Sequence, residues 1–272
     1  MLKKYKNKTL IIAEAGINHN GDIKEALKLI KFAKKSGADA VKFQTYITEK
    51  RTKKNSPIFD VLKKCELSFK NFHEMKLYAE DQGIDFISTP FDKESTSFLL
   101  KELKLPVIKI ASFYSNNIEM FNYINNFKTD IILSLGMTKL NSVTPIIKKI
   151  SKKNTLALLH CVSSYPNLDE DANLAVIQNL KNKFNNIIGY SDHTIGIDIP
   201  SLAVASGAQI IEKHFMINKN DKVVDKAVSI DSIKFKKMVE KIRQTEKIMG
   251  KNNINIRKVE KKFLFLKNNK LR

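Results

Sequence analysis

At 272 residues and 43% hydrophobic, the chain can bury one large core, and no apolar run approaches the roughly 18 residues of a membrane span. The formal net charge of +20 raises nucleic-acid binding, but the lysines are scattered along apparent outer helix faces, as at Lys24, Lys28, Lys31, Lys34 and Lys35, without the interleaved aromatics of a stacking platform. That argues against nucleic acid and for a positive field that gathers small anionic substrates.

The basic residues 1–8 lead into an apolar stretch that Glu14 interrupts, too short for a signal peptide. Two cysteines, Cys65 and Cys161, build neither a disulfide framework nor a CxxC metal site, so a cytoplasmic, reducing setting is expected.

Residues 9–15 form a β-rich run, and 22–35 carry Ile23, Ala26, Leu27, Ile30 and Ala33 at helical spacing. A second strand covers 40–46. After it comes the longest connection, the polar and basic residues 47–56, a candidate active-site loop. Helical patterns follow at 57–65 and 70–82. The alternation then repeats, with strands at 85–90, 107–112, 130–134, 155–162, 187–191 and 209–214. Helices are expected at 93–103, 118–126, 142–151, 172–184, 199–207 and 231–249. Eight strand-like runs, each followed by a helix-like one, predict an α/β fold, a single-domain (β/α)8 TIM barrel.

In such a barrel the chemistry sits at the carboxyl ends of the strands. Those ends carry Glu14 with Asn18, Lys42 with Gln44, Ser88 with Thr89, and Lys109 with Ser112. They continue with Ser134, Ser163 with Tyr165, Ser191 with His193, and Glu212 with His214. Side chains alternate along a strand, so Ser191 and His193 share a face, as do Glu212 and His214. The two imidazoles could meet on one metal ion or be unrelated strand-end histidines. Two interior lysines among hydroxyls suggest a phosphate or carboxylate site, since an inward lysine is costly without an anionic partner.

Eight ordered segments resemble the sialic acid synthases, including the pseudaminic and legionaminic acid synthases. They are Glu14-Ala-Gly-Ile-Asn-His-Asn-Gly21, Val41-Lys-Phe-Gln-Thr45, Ser88-Thr-Pro-Phe-Asp92 and Ile108-Lys-Ile-Ala-Ser112. The rest are Leu133-Ser-Leu-Gly-Met137, Leu159-His-Cys-Val-Ser-Ser-Tyr-Pro166, Gly189-Tyr-Ser-Asp-His-Thr194 and Glu212-Lys-His-Phe215. The resemblance implies condensation of phosphoenolpyruvate with the open-chain aldehyde of a 2-acetamido sugar, giving a nine-carbon 2-keto acid and phosphate. It implies that Lys42, Thr89, Lys109, Ser112, Ser134 and Ser191 hold the phosphoenolpyruvate. Ser163 stands where some members place an asparagine. By the same resemblance His193 and His214 hold a divalent metal, manganese or magnesium, and Glu14 sits beside the reacting carbons. Gln44, Tyr165 and Asp225 would contact substrate, whereas His19 and His160 read as structural.

Three departures from the family pattern stand out. Val223-Val-Asp225 replaces a Gly-Pro-Asp tract, and Phe113-Tyr114 follows strand four where a glutamate is usual. After Gly250 the chain runs through a basic stretch to Arg272, where the family continues into a small antifreeze-like domain that closes the partner's site in a dimer. The expected organisation is a synthase domain at 1–250 and a basic tail or truncated linker at 251–272. A homodimer is implied, with a separate capping polypeptide as one way to close the mouth.

Overall fold

Each strand-like run is apolar on both faces over most of its length, so it needs helices on one side and other strands' side chains on the other. The computed structural model describes residues 1–5, 7–250 and 253–267. It meets that need with eight parallel strands in the order β3-β2-β1-β8-β7-β6-β5-β4. These are β1 (Leu10–Gly16), β2 (Ala40–Thr45), β3 (Asp85–Pro90), β4 (Val107–Ile110), β5 (Asp130–Ser134), β6 (Leu156–His160), β7 (Ile187–Asp192) and β8 (Ile210–His214). β3 and β4 lie side by side and complete the ring, with no ladder between them among the described residues. The fold is the expected (β/α)8 barrel.

The helices between strands are α1 (Ile23–Lys35), α2 (Thr48–Arg51), α3 (Phe59–Cys65), α4 (Phe69–Asp81), α5 (Lys93–Ser97) and α6 (Ile118–Ile124). They continue with α7 (Leu140–Lys148), α8 (Ala175–Lys183), α9 (Asp198–Ala205) and α10 (Ser232–Met249). Local signals start the longer ones. Asp22 caps α1 through Lys24 N–H, Ser68 and Asn71 form a capping box on α4, and Asp231 accepts from Ile233 and Lys234 at the head of α10.

The expected helix at 93–103 is not uniform. α5 gives way to a π-helical turn, Phe98–Glu102, in which Phe98, Leu99 and Leu100 are all buried. A 3.6-residue turn would spread three consecutive apolar side chains around the axis, and the wider turn keeps them on the core. β4 ends at Ile110 rather than 112, and β6 at His160 rather than 162. In both places the chain leaves the sheet early and curls over the mouth. The connection at 47–56 contains the helical turn α2.

The barrel interior has two layers of opposite character. Its foot is apolar: Leu10, Ile12, Ala40, Ile87, Val107, Ile132, Ala157, Leu159 and Ile210 pack with Leu2. Leu2 belongs to a 3₁₀ turn, Leu2–Tyr5, that plugs the foot; its N–H donates to Asp130 Oδ2 (2.9 Å), and the Tyr5 hydroxyl donates to Asp85 Oδ2 (2.7 Å). Two residues further along the same strands, at the same parity, the interior turns polar. The opposite parity, such as Ile11, Val41, Phe43, Leu133 and Ile211, packs under the helices.

Residues 253–267 are exposed and form a 3₁₀ turn (Lys258–Phe263) and α11 (Leu264–Lys267). The remainder of the expected tail, 251–252 and 268–272, lies outside the described residues. Among the described residues no helix is long and apolar enough to cross a membrane.

Candidate active site

The polar layer opens into a cavity of about 280 Å³ at the carboxyl ends of the strands. Its wall includes Glu14, Lys42, Gln44, Thr89, Lys109, Ser112, Ser134, Tyr165, Ser191, His193, Glu212, His214 and Asp225. Twelve of the thirteen residues named from sequence as catalytic, substrate-binding or metal-holding are therefore brought together. The exception is Ser163, whose buried Oγ has no hydrogen-bond partner and is turned against Gly136 rather than along the wall. A Cβ on Gly136 would come within 2.3 Å of that oxygen, so only glycine lets the β5 and β6 loops approach this closely.

Strand register explains the juxtaposition. Glu14 is paired in register with Lys42 on one side and His214 on the other, and Ser191 is opposite Glu212. Lys42 Nζ lies 2.7 Å from Glu14 Oε2, a short contact without hydrogen-bond geometry, so we read it as an ion pair. Lys42 also donates to Thr89 Oγ1 at 3.0 Å. Lys109 Nζ donates to Glu212 Oε1 at 2.9 Å, Ser191 Oγ donates to the same oxygen at 2.8 Å, and Lys42 is 3.7 Å from Glu212 Oε2. Both interior lysines thus have protein carboxylates as partners. The Glu14–Lys42 pair was foreseeable, but the pairing of Lys109 with Glu212 was not.

The two glutamates respond differently to burial. Burial pushes the Glu14 carboxyl up, against the pull of Lys42 and reinforced by the charge of Glu212. Burial also acts to raise Glu212, but Lys109 and Lys42 outweigh it and hold that carboxyl below its ordinary value. One carboxyl is therefore suited to carry a proton while its neighbour stays charged.

The histidines face one another with ring centroids 5.7 Å apart. His193 Nδ1 is 2.7 Å from the Val162 carbonyl, which fixes it as the donor and leaves Nε2 with a free lone pair. Burial, then His214, pushes His193 down to about 3, so it is neutral. His214 Nδ1 lies 3.5 Å from Asp225 Oδ2, and neither atom has a hydrogen bond. Burial would lower His214, but Asp225 reverses the direction and raises it. Tyr165 lies over His193 with centroids 4.1 Å apart and meets His214 edge-on. Among the described residues no group of three or more His, Cys, Asp or Glu side chains could hold a metal. The donor set is two imidazoles, one with Nδ1 bonded to the Val162 carbonyl and the other with Nδ1 beside Asp225.

Asp225 reaches the wall despite the altered tract before it. Asn18 accepts from Asp225 N–H (2.9 Å) and donates to Phe215 O and Ser229 Oγ, which pins the turn onto β1 and β8. Gly16, at φ +53°, makes room: a Cβ there would lie 2.7 Å from Asp225 Oδ2. Phe113, 68% exposed, stands at the rim where the family glutamate was missing, and Tyr114 turns away to donate to Phe91 O.

The basic connection at 47–56, flagged from sequence as a candidate active-site loop, brings Arg51, at the end of α2, into the cavity wall. One feature was missed from sequence. Behind the histidines, Lys213 and Asp192 form a fully buried ion pair at 2.6 Å, and Asp192 Oδ1 accepts from Thr194 N–H and Oγ1. Their alternation with Ser191, His193, Glu212 and His214 was the available signal, since a charged residue facing the helices must be paired. His19 and His160 stay out of the cavity: His19 Nδ1 accepts from Gly21 N–H, and His160 Nε2 meets Ala172 O.

With that geometry in view, the comparisons with known proteins are direct. The sequence matches the NeuB family over residues 29–254. The chain belongs to the NeuB family. It is 45% identical over 244 residues to an uncharacterized protein of Methanocaldococcus jannaschii, covering 89% of this chain and 72% of that one. It is 41% identical to an N,N'-diacetyllegionaminic acid synthase of Campylobacter jejuni, covering 89% and 78% respectively. A crystal structure of N-acetylneuraminic acid (sialic acid) synthetase from Leptospira borgpetersenii serovar Hardjo-bovis, in complex with citrate, superposes with a TM-score of 0.92 at 38% identity. That match covers 96% of this chain and 92% of the other. The chain is thus an enzyme of the sialic-acid-synthase family.

Proposed function

We propose that this protein condenses phosphoenolpyruvate with the open-chain aldehyde of a 2-acetamido sugar, an N-acetylmannosamine-like acceptor. The products are phosphate and a nine-carbon sialic-acid-type 2-keto acid for surface glycan assembly. The observation that supports this reading is the convergence of Lys42, Thr89, Lys109, Ser112, Ser134 and Ser191 with His193 and His214 on one cavity. Ammonium groups and hydroxyl donors suit a small trianion. Gln44, Tyr165 and Asp225 line the same cavity and are assigned to the acceptor.

The chemistry follows from the charges. The enol carbon of phosphoenolpyruvate attacks the aldehyde carbon, and the aldehyde oxygen gains negative charge and then a proton. Water adds to the second carbon of the former enol, and the carbon–oxygen bond to phosphate breaks. Glu14, its carboxyl raised by burial, moves a proton or positions that water. Glu212 remains ionised and keeps Lys109 in place.

His193 and His214 fit a divalent ion, manganese or magnesium, because neither Nε2 has a hydrogen bond among the described residues and His193 is held neutral. When bound, the ion would stabilise charge on the aldehyde oxygen and hold the acceptor. The buried free cysteines Cys65 and Cys161 favour a reducing, cytoplasmic setting. Phe113, exposed at the cavity, and Met137, Leu168 and Ile195, exposed in the connections after β5, β6 and β7, favour a protein surface over the mouth, a second copy of the chain or a separate cap. Residues 1–250 are assigned to catalysis and 251–272 to a basic tail.

The test is phosphate release and 2-keto acid formation from phosphoenolpyruvate, Mn²⁺ and a panel of acetamido sugars. His193→Ala or His214→Ala should lower turnover by at least about 100-fold with the fold retained. Normal turnover in both would remove the metal assignment. No release with any sugar, from protein that binds phosphoenolpyruvate calorimetrically, would instead make the chain a binding protein.

A further inference from the structure

One cation in the mouth has no carboxylate of its own. Lys42 is tied to Glu14 and Lys109 to Glu212, whereas no carboxylate among the described residues lies within ion-pair distance of Arg51. Its guanidinium instead lies 3.7 Å from the Phe91 ring centroid and 4.6 Å from that of Tyr46. Nη1 donates to Gln44 Oε1 at 3.1 Å. The residue is half-buried and forms part of the cavity wall.

The turn that delivers Arg51 is anchored. Ile47 N–H donates to Asp92 Oδ2 (2.9 Å), Thr48 N–H donates to Glu66 Oε2 (2.8 Å), and Lys50 pairs with Glu94. Contact with two rings set nearly at right angles holds the guanidinium in place and leaves N–H groups for hydrogen bonds. Of five donors, one is used on Gln44. A half-buried planar cation with unused donors and no carboxylate within ion-pair distance among the described residues, facing a substrate cavity, is complementary to two oxygens of one carboxylate or phosphate. Its one side-chain hydrogen-bond partner among the described residues is Gln44, the residue assigned above to the acceptor.

We infer that Arg51 binds a substrate oxyanion, and that this oxyanion is a phosphate or carboxylate carried by the acceptor sugar. The inference rests on the condensation proposed above and narrows its acceptor to an anionic one. The same oxyanion chemistry also exists on phosphoenolpyruvate, so the experiment has to separate the two sources.

Metal-loaded wild type, Arg51→Gln and Arg51→Lys are compared in steady-state kinetics with phosphoenolpyruvate, an acetamido hexose and the 6-phosphate of that hexose. Wild type should favour the phosphorylated acceptor. Arg51→Gln should raise its KM roughly tenfold or more, the scale of hydrogen bonds to a charged group, and Arg51→Lys should recover part of that. KM for phosphoenolpyruvate should stay within about twofold. A rise confined to phosphoenolpyruvate, with both acceptors alike, would overturn the acceptor assignment and give Arg51 to the donor. Unchanged KM values for all three, in variants that melt like wild type, would overturn the oxyanion role altogether. Calorimetric binding of phosphoenolpyruvate to wild type and Lys109→Ala runs in parallel. If wild type does not bind it, the failure lies with the condensation reading and not with Arg51.

Discussion

The foot and the mouth of this barrel are built by the same strands at the same parity, yet they are held together by different physics. At the foot, Ile12, Ile87, Ile132 and Leu159 fill the interior with dispersion contacts and exclude water. Two residues on, Glu14, Thr89, Ser134 and Cys161 occupy the next layer, joined by Lys42, Lys109 and Glu212. There each buried charge is tolerated because another opposes it. The foot stabilises without specifying chemistry. The mouth is close to electrically balanced, and its stability is sensitive to the loss of any one partner.

The largest expected effect on stability comes from the buried pair just behind the mouth. Lys213→Met leaves Asp192 buried and unopposed and should destabilise by about 3–5 kcal/mol, read from denaturant midpoints. Because the pair flanks both His193 and His214, Mn²⁺ affinity should fall too. A Lys213→Met, Asp192→Leu double variant should regain much of the stability. If it is no more stable than Lys213→Met, the charge-balance account of this region fails.

Ile132→Ala at the foot should cost about 2–5 kcal/mol through lost burial and a cavity, with kcat/KM nearly unchanged below the melting transition. A matching loss of activity at low temperature would show that the two layers are coupled.

Acidification probes the histidines. His19, pushed down to about 4 by burial, is neutral in the fold but takes a proton in the unfolded chain below its ordinary 6.5. Its contribution is fully present above pH 6.5 and is lost as pH falls toward 4, by about 3 kcal/mol at most. His160 and His193 shift in the same direction, and His214, raised beside Asp225, opposes them. Urea midpoints should therefore fall between pH 6.5 and 4, less steeply in His19→Gln. Equal slopes in the two proteins would discount His19.

The smallest effect lies outside both layers. Asp231→Ala removes the cap that accepts from Ile233 and Lys234 N–H and should cost about 1 kcal/mol without touching activity.

Much of this comparison is legible in the chain itself, because the alternation that makes a strand also assigns its faces. Ile210, Glu212 and His214 had to point one way, and Ile211 and Lys213 the other. Once eight such strands are counted, the polar inward residues fall at one end of a barrel. Lys213 and Asp192 obeyed the same rule and could have been paired from it, since both are charged and point toward the helix layer. Ser163 shows the limit: it follows a strand end, but the chain there has left the sheet, and alternation no longer says where a side chain points.

The sequence by itself determined the strand count, the parity of each interior residue and the site that parity builds, because these depend on backbone periodicities of a few residues. Only the tertiary structure decided that Lys109 pairs with Glu212, across 103 residues, and that Asn18 holds Asp225, across 207. It also decided that Arg51 swings in from a loop to stack on Phe91. These contacts join distant segments through ring closure and loop packing, and no local pattern encodes those particular partners.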